Sequence, residues 1–520
     1  MRNIADALTL IARRAPATPA IGLRGGRVLN YAQLDERTNR LANALIGAGL
    51  SPGDAIGAWM EDVPEYFELY LAVAKAGLVI VPVNARFKAD EARYALERAR
   101  ISALFFTDGV APMVEAALGD RDVRLTATPG EELVAGAKGY ETLLAAAAAS
   151  ANNTAPAADA PYILAFTSGT TGYPKAAVLT HRSVVNVCRS QAIAVRLPLY
   201  GVRAHTNSMS FTSSVTAHLL PTLYTGGASI LMGKGWHVDD LIDVVTTYGA
   251  THTTLPSPVV REFIDYVGAS PGRLGSLQSI LHAGSKVDGS VLRELSRVVG
   301  PRFIEGWGMT ENSGGLVCAT SWSDAQGAAP MGEDVFDTVG RPVPGADVDV
   351  VDERGNPLPH DGETVGELLV SSPCLADGYW ENQAATELAF DGEWYHSGDL
   401  GSIDPMGYVR VSDRRADLIV SGGMNVYPAE VERVIRRHEA VSDCAVVGAP
   451  HPRWGQTVVA VVVAKPGTQL TDAAVIDFCR EHLASYKKPT AVVFVERLPR
   501  NASDKVLRDD LRKLVAPTAP

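Results

Sequence analysis

The chain has 520 residues, 46% hydrophobic, 7% aromatic and 20% charged, which excludes a disordered chain, a collagen and a long coiled coil. At roughly 100–200 residues per domain, that length predicts about three or four folding units. Lys and Arg number 47 against 59 Asp and Glu, for a formal net charge of -12, so no basic surface for nucleic acid is expected.

In chain order, an amphipathic helix is predicted over 34–47. The stretch 66–83 then reads as a helix, Gly77 and a buried strand. Glu68 and Lys75 interrupt it, and the longest apolar runs, such as 458–464, fall far short of the ~20 residues that cross a bilayer. No signal peptide is evident at 1–10. Strands are read at 78–83, 103–107, 162–167, 228–232 and 279–283, with a helix at 238–248. The alternation predicts an α/β fold with largely parallel sheets. The Ala-rich stretch 145–160 reads as a helix end followed by a linker.

From about 335, glycines and prolines separate short β runs at 347–351 and 366–370, the pattern of an antiparallel β subdomain. A charged joint follows at 412–417. The tail then reads as helix 428–437, strands 442–448 and 458–464, helix 472–482 and strand 491–496. The expected organisation is a large N-terminal domain, 1–412, with parallel α/β subdomains and a β subdomain at about 335–412, followed by a small C-terminal α+β domain, 413–520. From Asp413 onward the net charge is +3, and the rest carries -15. That contrast suits closure over an anionic ligand, or reflects chance variation between domains. The five cysteines, Cys188, Cys318, Cys374, Cys444 and Cys479, are widely spaced and contain no Cys-x-x-Cys. Neither a disulfide framework nor a structural zinc site is expected, and a reducing cytoplasm is the simplest location.

The densest chemical signal is Thr167-Ser168-Gly169-Thr170-Thr171-Gly172-Tyr173-Pro174-Lys175, after a predicted strand. Glycines let backbone N–H groups approach a ligand, hydroxyls add donors and Lys175 adds a cation, which together make a cradle for phosphate oxygens. The Gly-Lys-Ser/Thr ending of P-loop NTPases is missing. A Ser/Thr/Gly-rich surface turn is the plain alternative. Further motifs are Ala283-Gly284-Ser285, Gly306-Trp307-Gly308-Met309-Thr310-Glu311, Tyr395-His396-Ser397-Gly398-Asp399-Leu400, Asp413-Arg414-Arg415-Ala416-Asp417, Ser421-Gly422-Gly423-Met424-Asn425-Val426-Tyr427-Pro428-Ala429-Glu430 and Leu498-Pro499-Arg500-Asn501-Ala502-Ser503-Asp504-Lys505. Singly, each has a plain reading: a core Trp in a tight turn, an Asp satisfying its own turn, a solvated salt-bridge cluster, a surface lysine.

Together, in this order and spacing over nearly the whole chain, these motifs resemble the adenylate-forming superfamily: acyl-CoA synthetases, luciferase-like enzymes and peptide-synthetase adenylation domains. The Gly-Gly-Met-Asn-Val-Tyr-Pro-Ala-Glu string resembles the CoA-ligase branch. The resemblance implies that Thr167–Lys175 holds the β- and γ-phosphates of ATP and that Gly284 and Ser285 border the adenine. It also implies that Trp307, between Gly306 and Gly308, packs on the base, that Thr310 contacts the α-phosphate region, and that Glu311 binds Mg²⁺. Asp399 and Arg414 would hold the ribose, Gly422 and Gly423 would line a pantetheine tunnel, and Lys505 would bridge the attacking carboxylate and the α-phosphate. The small domain is implied to be mobile, turning about Asp413. The acyl pocket would draw on 208–214, including Phe211, Thr212 and Ser213, and on 253–258 and 312–316.

Three positions depart from the family pattern: Asp504 stands where glycine is usual, Ala176 replaces another glycine, and Thr212 stands where relatives carry His or Asp. Thr212 cannot supply a counter-charge to a buried ammonium, which disfavours amino acids. The implied activity is ATP-dependent carboxylic acid–CoA ligation through an acyl-adenylate, on a fatty, aryl or polycyclic acid, with ATP, Mg²⁺ and CoA. The alternatives are an enzyme that passes acyl-AMP to a carrier protein or partner synthetase, and a silent nucleotide-binding protein. A homodimer is compatible with either.

Overall fold

The computed structural model describes the chain except residues 1–2, 131–132, 153, 155, 169–173, 270, 285–286, 288, 322–323, 325–331, 353, 415–418, 427, 500–505, 507 and 516–520, and except the side chains of 168, 269, 271, 273, 332–334, 412–414, 425, 429 and 509. The chain forms two compact units, one of residues 1–85, 95–166 and 176–413, the other of residues 86–94, 167–175 and 414–520.

The first unit is α/β. One sheet places Ala55–Trp59 between Val79–Pro82 and Ala103–Phe106, extends through Leu125–Thr128 to Lys138–Gly139, and on its other side through Pro161–Ser168 to Pro174–Thr180. The pairings from Lys138–Gly139 through to Pro161–Ser168 are parallel. The three central strands, Ala55–Trp59, Val79–Pro82 and Ala103–Phe106, are apolar and buried along their whole length, as expected where helices cover each side. A second sheet, of nine strands, has five parallel pairings around Val202–His205, Ala228–Leu231, His252–Thr254, Ser279–Ala283 and Phe303–Gly308. Toward one edge, Leu316–Ala319 returns antiparallel to Phe303–Gly308, and Arg341–Pro342 pairs outside it. The third sheet is antiparallel and includes Asp347–Val351, Gly366–Ser371 and Trp394–Ile403.

Local chemistry explains several boundaries. Asn30 and Gln33 form a reciprocal capping box at the start of helix Tyr31–Gly47, which satisfies two donors that a helix start leaves open. Helix Pro64–Ala76 opens on Pro and stops at left-handed Gly77, the expected punctuation at each end. The predicted helix 238–248 is found as Val238–Tyr248 and the predicted strand 279–283 as Ser279–Ala283. The Ala-rich stretch ends helix Tyr140–Ala146.

The second unit is built on a hairpin of two long strands, Val441–His451 and Gly455–Ala464, with Ile419–Ser421 and Met424–Val426 on one side and Ala491–Phe494 paired parallel to Gly455–Ala464. Helices Pro428–Ile435 and Asp472–His482 contribute Val431, Val434, Ile435, Val475 and Cys479 to its core. Both hairpin strands exceed the predicted 442–448 and 458–464.

Candidate active site

In the first unit, strand Phe303–Gly308 leads into the short turn Thr310–Asn312. A Cβ on Gly308 would stand 2.4 Å from the Gly315 carbonyl oxygen, and one on Gly306 would stand 2.7 Å from Leu316 Cδ2. The returning backbone therefore demands glycine at 308, whereas at 306 the end of the Leu316 side chain would have to move aside. Trp307 is 9% exposed, and its indole Nε1–H donates to Asp399 Oδ2 at 3.0 Å. Asp399 is buried on Trp394–Ile403, and its backbone N–H donates to Ser397 Oγ. Two motifs 92 residues apart thus meet through one hydrogen bond.

Glu311 is held from a different direction. The Tyr379 hydroxyl donates to Glu311 Oε1 at 2.9 Å, and the Ala376 N–H donates to the Glu311 carbonyl at 2.8 Å. The same stretch, 376–380, pairs with the strand that leaves the hydroxyl-rich loop: Val178 N–H donates to Gly378 O, and Trp380 N–H to Ala176 O. Tyr379 and Ala376 carry no motif signature, and sequence reasoning missed them. An aromatic residue inside the predicted β subdomain was the only available hint. Gly284 follows strand Ser279–Ala283, whose Ala283 lies in register with Gly306. A chain of hydrogen bonds runs from Ser257 Oγ to His282 Nε2 at 2.8 Å, and from His282 Nδ1 to Glu305 Oε2 at 2.7 Å. It ties the 253–258 stretch to the residue just before Gly306.

The 208–213 segment is anchored by Asp62, whose Oδ1 accepts from Met209 N–H at 2.7 Å and from Ser208 Oγ at 3.1 Å. Phe211 is 37% exposed, Ser213 is exposed, and Thr212 is half-buried with its carbonyl accepting from Thr216 Oγ1. Asp62 carried no sequence signal.

In the second unit, Thr167 Oγ1 donates to the Lys175 carbonyl, and Tyr94 O–H donates to the Pro174 carbonyl. Gly422 and Gly423 join strands Ile419–Ser421 and Met424–Val426 as a two-residue turn with φ of 57° and 78°. Both values fall in the left-handed region that such a hairpin turn requires, which gives this Gly pair a conformational reason of its own. Lys487, 4% exposed, is clasped between Glu430 Oε1 at 2.7 Å and Glu91 Oε1 at 3.0 Å, with the Phe87 ring 4.2 Å from its Nζ. Burial opposes its charge, but Glu430, Tyr486 and Glu91 together hold the ammonium above its usual range. Gly169, Thr170, Thr171, Gly172, Ser285, Asp504 and Lys505 lie outside the described residues, as do the side chains of Ser168, Asp413 and Arg414. Among the described residues no cluster of His, Cys, Asp and Glu is arranged to hold a metal by itself. A hard cation brought in by nucleotide phosphates needs less, and the Glu311 carboxylate is suitable oxygen chemistry for Mg²⁺.

Known proteins match this chain over nearly its whole length. Residues 8–380 match the family described as AMP-binding enzyme, and residues 430–505 its C-terminal domain. The chain is 32% identical to the fatty acid–[acyl-carrier-protein] ligase ScoC of Streptomyces coeruleorubidus, covering 98% of this chain and 96% of the relative. It is 34% identical to a feruloyl-CoA synthase of Amycolatopsis sp, covering 96% and 97%. The fold is also that of the amide bond synthetase McbA of Marinactinospora thermotolerans, with TM-score 0.88 and 24% identity over 99% of this chain and 100% of that one. With matches that span both units, the chain belongs to the AMP-binding enzyme family, in the acyl-CoA synthetase branch of the adenylate-forming enzymes.

Proposed function

We infer that this chain is an ATP-dependent carboxylic acid–CoA ligase working through an acyl-adenylate. The carrying observation is the Trp307–Asp399 hydrogen bond at 3.0 Å, which joins two separated nucleotide motifs in one buried place. A carboxylate is a poor electrophile because its oxygen leaves badly. Its oxygen attacks the α-phosphorus of ATP, the bond to the bridging β-phosphate oxygen breaks, and pyrophosphate departs. The CoA sulfur then attacks the acyl carbon of acyl-AMP, AMP leaves, and the thiol proton passes to solvent.

In this reading the Trp307 ring faces the base while its N–H fixes Asp399 to accept from the ribose hydroxyls, with Arg414 beside it. Thr167, Ser168, Gly169, Thr170, Thr171, Gly172 and Lys175 cradle the β- and γ-phosphates. Gly284 and Ser285 border the adenine. Glu311, steadied by Tyr379, offers an oxygen to Mg²⁺, whose charge would offset that of the phosphates. Thr310 and Lys505 stabilise charge at the α-phosphate, a role whose loss costs ~10²–10³ in rate. The domain from 413 to 520 would act as a lid that turns about Asp413 between the half-reactions, with Gly422 and Gly423 meeting pantetheine. Phe211, Thr212 and Ser213 would face the acyl group. A cytoplasmic setting fits the five free and buried cysteines.

A carrier-protein thiol is the second candidate acceptor. Similarity to ScoC, a fatty acid–[acyl-carrier-protein] ligase, favours it, as do Thr212 and Asp504, which depart from the common CoA-ligase pattern. The test is pyrophosphate release with mass detection of products across fatty, aryl and polycyclic acids, with and without CoA. Acyl-CoA from one class supports the ligase. Acyl-AMP that accumulates despite CoA points to the carrier protein.

A further inference from the structure

The nine-stranded sheet holds a buried cation that no carboxylate among the described residues neutralises. Arg203 stands on Val202–His205 in register with Ser229 and His252 and is 1% exposed. Its Nε donates to Thr222 Oγ1 at 3.1 Å and its Nη1 to Thr254 Oγ1 at 3.3 Å. No carboxylate among the described residues pairs with it, and burial alone pushes the guanidinium down to about 9. Three buried histidines surround it. Burial and then the Arg203 charge hold His205, His218 and His252 below their usual range, His205 down to about 3, so all three are neutral. The cluster therefore offers no negative partner.

The hydrogen-bond directions leave donors over. Thr222 gives its proton to the His218 carbonyl at 2.8 Å, so its oxygen accepts from Arg203 and from His252 Nε2. Thr254 accepts from Arg203 and lies 3.4 Å from His218 Nε2, a contact that either tautomer of His218 can make. A neutral imidazole that accepts at Nε2 carries its hydrogen on Nδ1, and His218 Nδ1 is buried without a partner. Arginine has five N–H donors, and among the described residues two of those on Arg203 find acceptors. His218 sits on a π-helical turn, Ser214–Leu219, a rare geometry found often at functional sites.

The cluster meets two of the three stretches assigned to the acyl pocket, and the third packs against the turn that carries His218. Thr254 belongs to 253–258. His205 Nε2 lies 2.9 Å from Ser214 Oγ, at the end of 208–214. Gly314, from 312–316, approaches so closely that a Cβ there would meet Thr216 Oγ1 at 2.6 Å and Ser213 Cα at 2.8 Å.

We propose that Arg203 and His218 form the far end of the acyl site and receive the second carboxylate of a dicarboxylic acid. A carboxylate accepts several hydrogen bonds at once and supplies the missing charge. This deepens the ligase reading and rests on it. It also gives Arg203 a reason to be buried at a cost in stability, as binding residues often are.

The test compares α,ω-dicarboxylic acids and benzene dicarboxylic acids with monocarboxylic acids of matching length, by pyrophosphate release. The expected kcat/KM ratio favours a diacid at least about tenfold, and Arg203→Met removes that preference while Arg203→Lys keeps part of it. A monoacid preference, or a diacid preference that survives in Arg203→Met, overturns the proposal and leaves the ligase intact. Pyrophosphate release from no acid at all overturns the ligase reading instead. Calorimetric binding of the same diacids to the wild type then decides the subsite: binding lost in Arg203→Met supports it, and no binding overturns it. Thermal melting separates a structural role, since a binding arginine without a counter-ion leaves Arg203→Met at least as stable as the wild type, whereas a scaffold arginine does not.

Discussion

The Tyr379 hydroxyl donates to Glu311 Oε1 at 2.9 Å. One neighbour on the same loop, Trp380, hydrogen-bonds Ala176 directly after Lys175. The proposed Mg²⁺ carboxylate and the exit of the proposed phosphate loop are therefore held by one short stretch, 376–380. Tyr379→Phe keeps the ring packed against Phe390, 6.0 Å away, and removes only the hydroxyl. Losing one hydrogen bond to a charged group costs about 1.5–3 kcal/mol, so the Mg²⁺ concentration for half-maximal pyrophosphate release rises about tenfold or more. A titration of Mg²⁺ at saturating ATP checks this, and an unchanged curve would separate Tyr379 from the metal.

Trp307→Phe tests the indole N–H separately from the ring. The ring face remains for the base, while Asp399 loses the indole as one donor. KM for ATP rises about tenfold and kcat changes less, because a positioning bond is lost and no reacting group is removed. Equal damage from Trp307→Phe and Trp307→Ala would be contrary to this account.

Gly308→Ala forces a Cβ to within 2.4 Å of the Gly315 carbonyl. Backbone cannot yield as a flexible side-chain end does, so the substitution costs on the order of 1–3 kcal/mol. The melting temperature falls before any effect on nucleotide binding is considered. Gly235→Ala is no control, because its φ of 71° is strained in its own right. Gly47→Ala, in a helix with open space about its Cβ, is one, and is expected to stabilise slightly.

Acid should destabilise the first unit through its buried imidazoles. His181 is held down to about 4 and His205 to about 3, each by burial first. Both lie below the unfolded value near 6.5. Below pH about 6.5 the unfolded chain binds protons that the native chain refuses, so stability present above that pH is lost as pH falls toward the native values. Each such group contributes a slope of up to about 1.4 kcal/mol per pH unit. Urea unfolding at pH 7.5 and 5.0 checks the direction, and His205→Gln makes the slope shallower.

Breaking the Lys487 clasp is expected to be costly. Lys487→Met leaves Glu91 and Glu430 buried together, with Glu91 already held above the usual carboxylate range by burial. Removal of one partner from a buried ion cluster costs about 3–5 kcal/mol, and circular dichroism melting of the full chain measures it.

Much of this was legible from local signals. Val238–Tyr248 and Asp472–His482 fall on their predicted limits, because a 3.6-residue apolar period bounded by caps is written within the segment itself. The motifs were legible as residue types: Gly306, Trp307, Gly308, Glu311 and Asp399 stand out without coordinates. The reasons for them were not. Glycine at 308 answers to Gly315 across an antiparallel return, and Trp307 answers to Asp399 in another sheet. Tyr379, Asp62 and Arg203 escaped altogether. Each acts through partners far along the chain, Arg203 through Thr222 and Thr254, and a polar residue inside an apolar run has no periodic signature.

The central claim is that this chain activates a carboxylic acid as its adenylate. The most direct test is acid-dependent exchange of radiolabelled pyrophosphate into ATP in the absence of CoA, with mass detection of acyl-AMP. The account predicts exchange that requires the acid, and on addition of an acceptor thiol, AMP and a thioester in equal amounts. Formation of ADP, or exchange that proceeds equally without any acid, would contradict it.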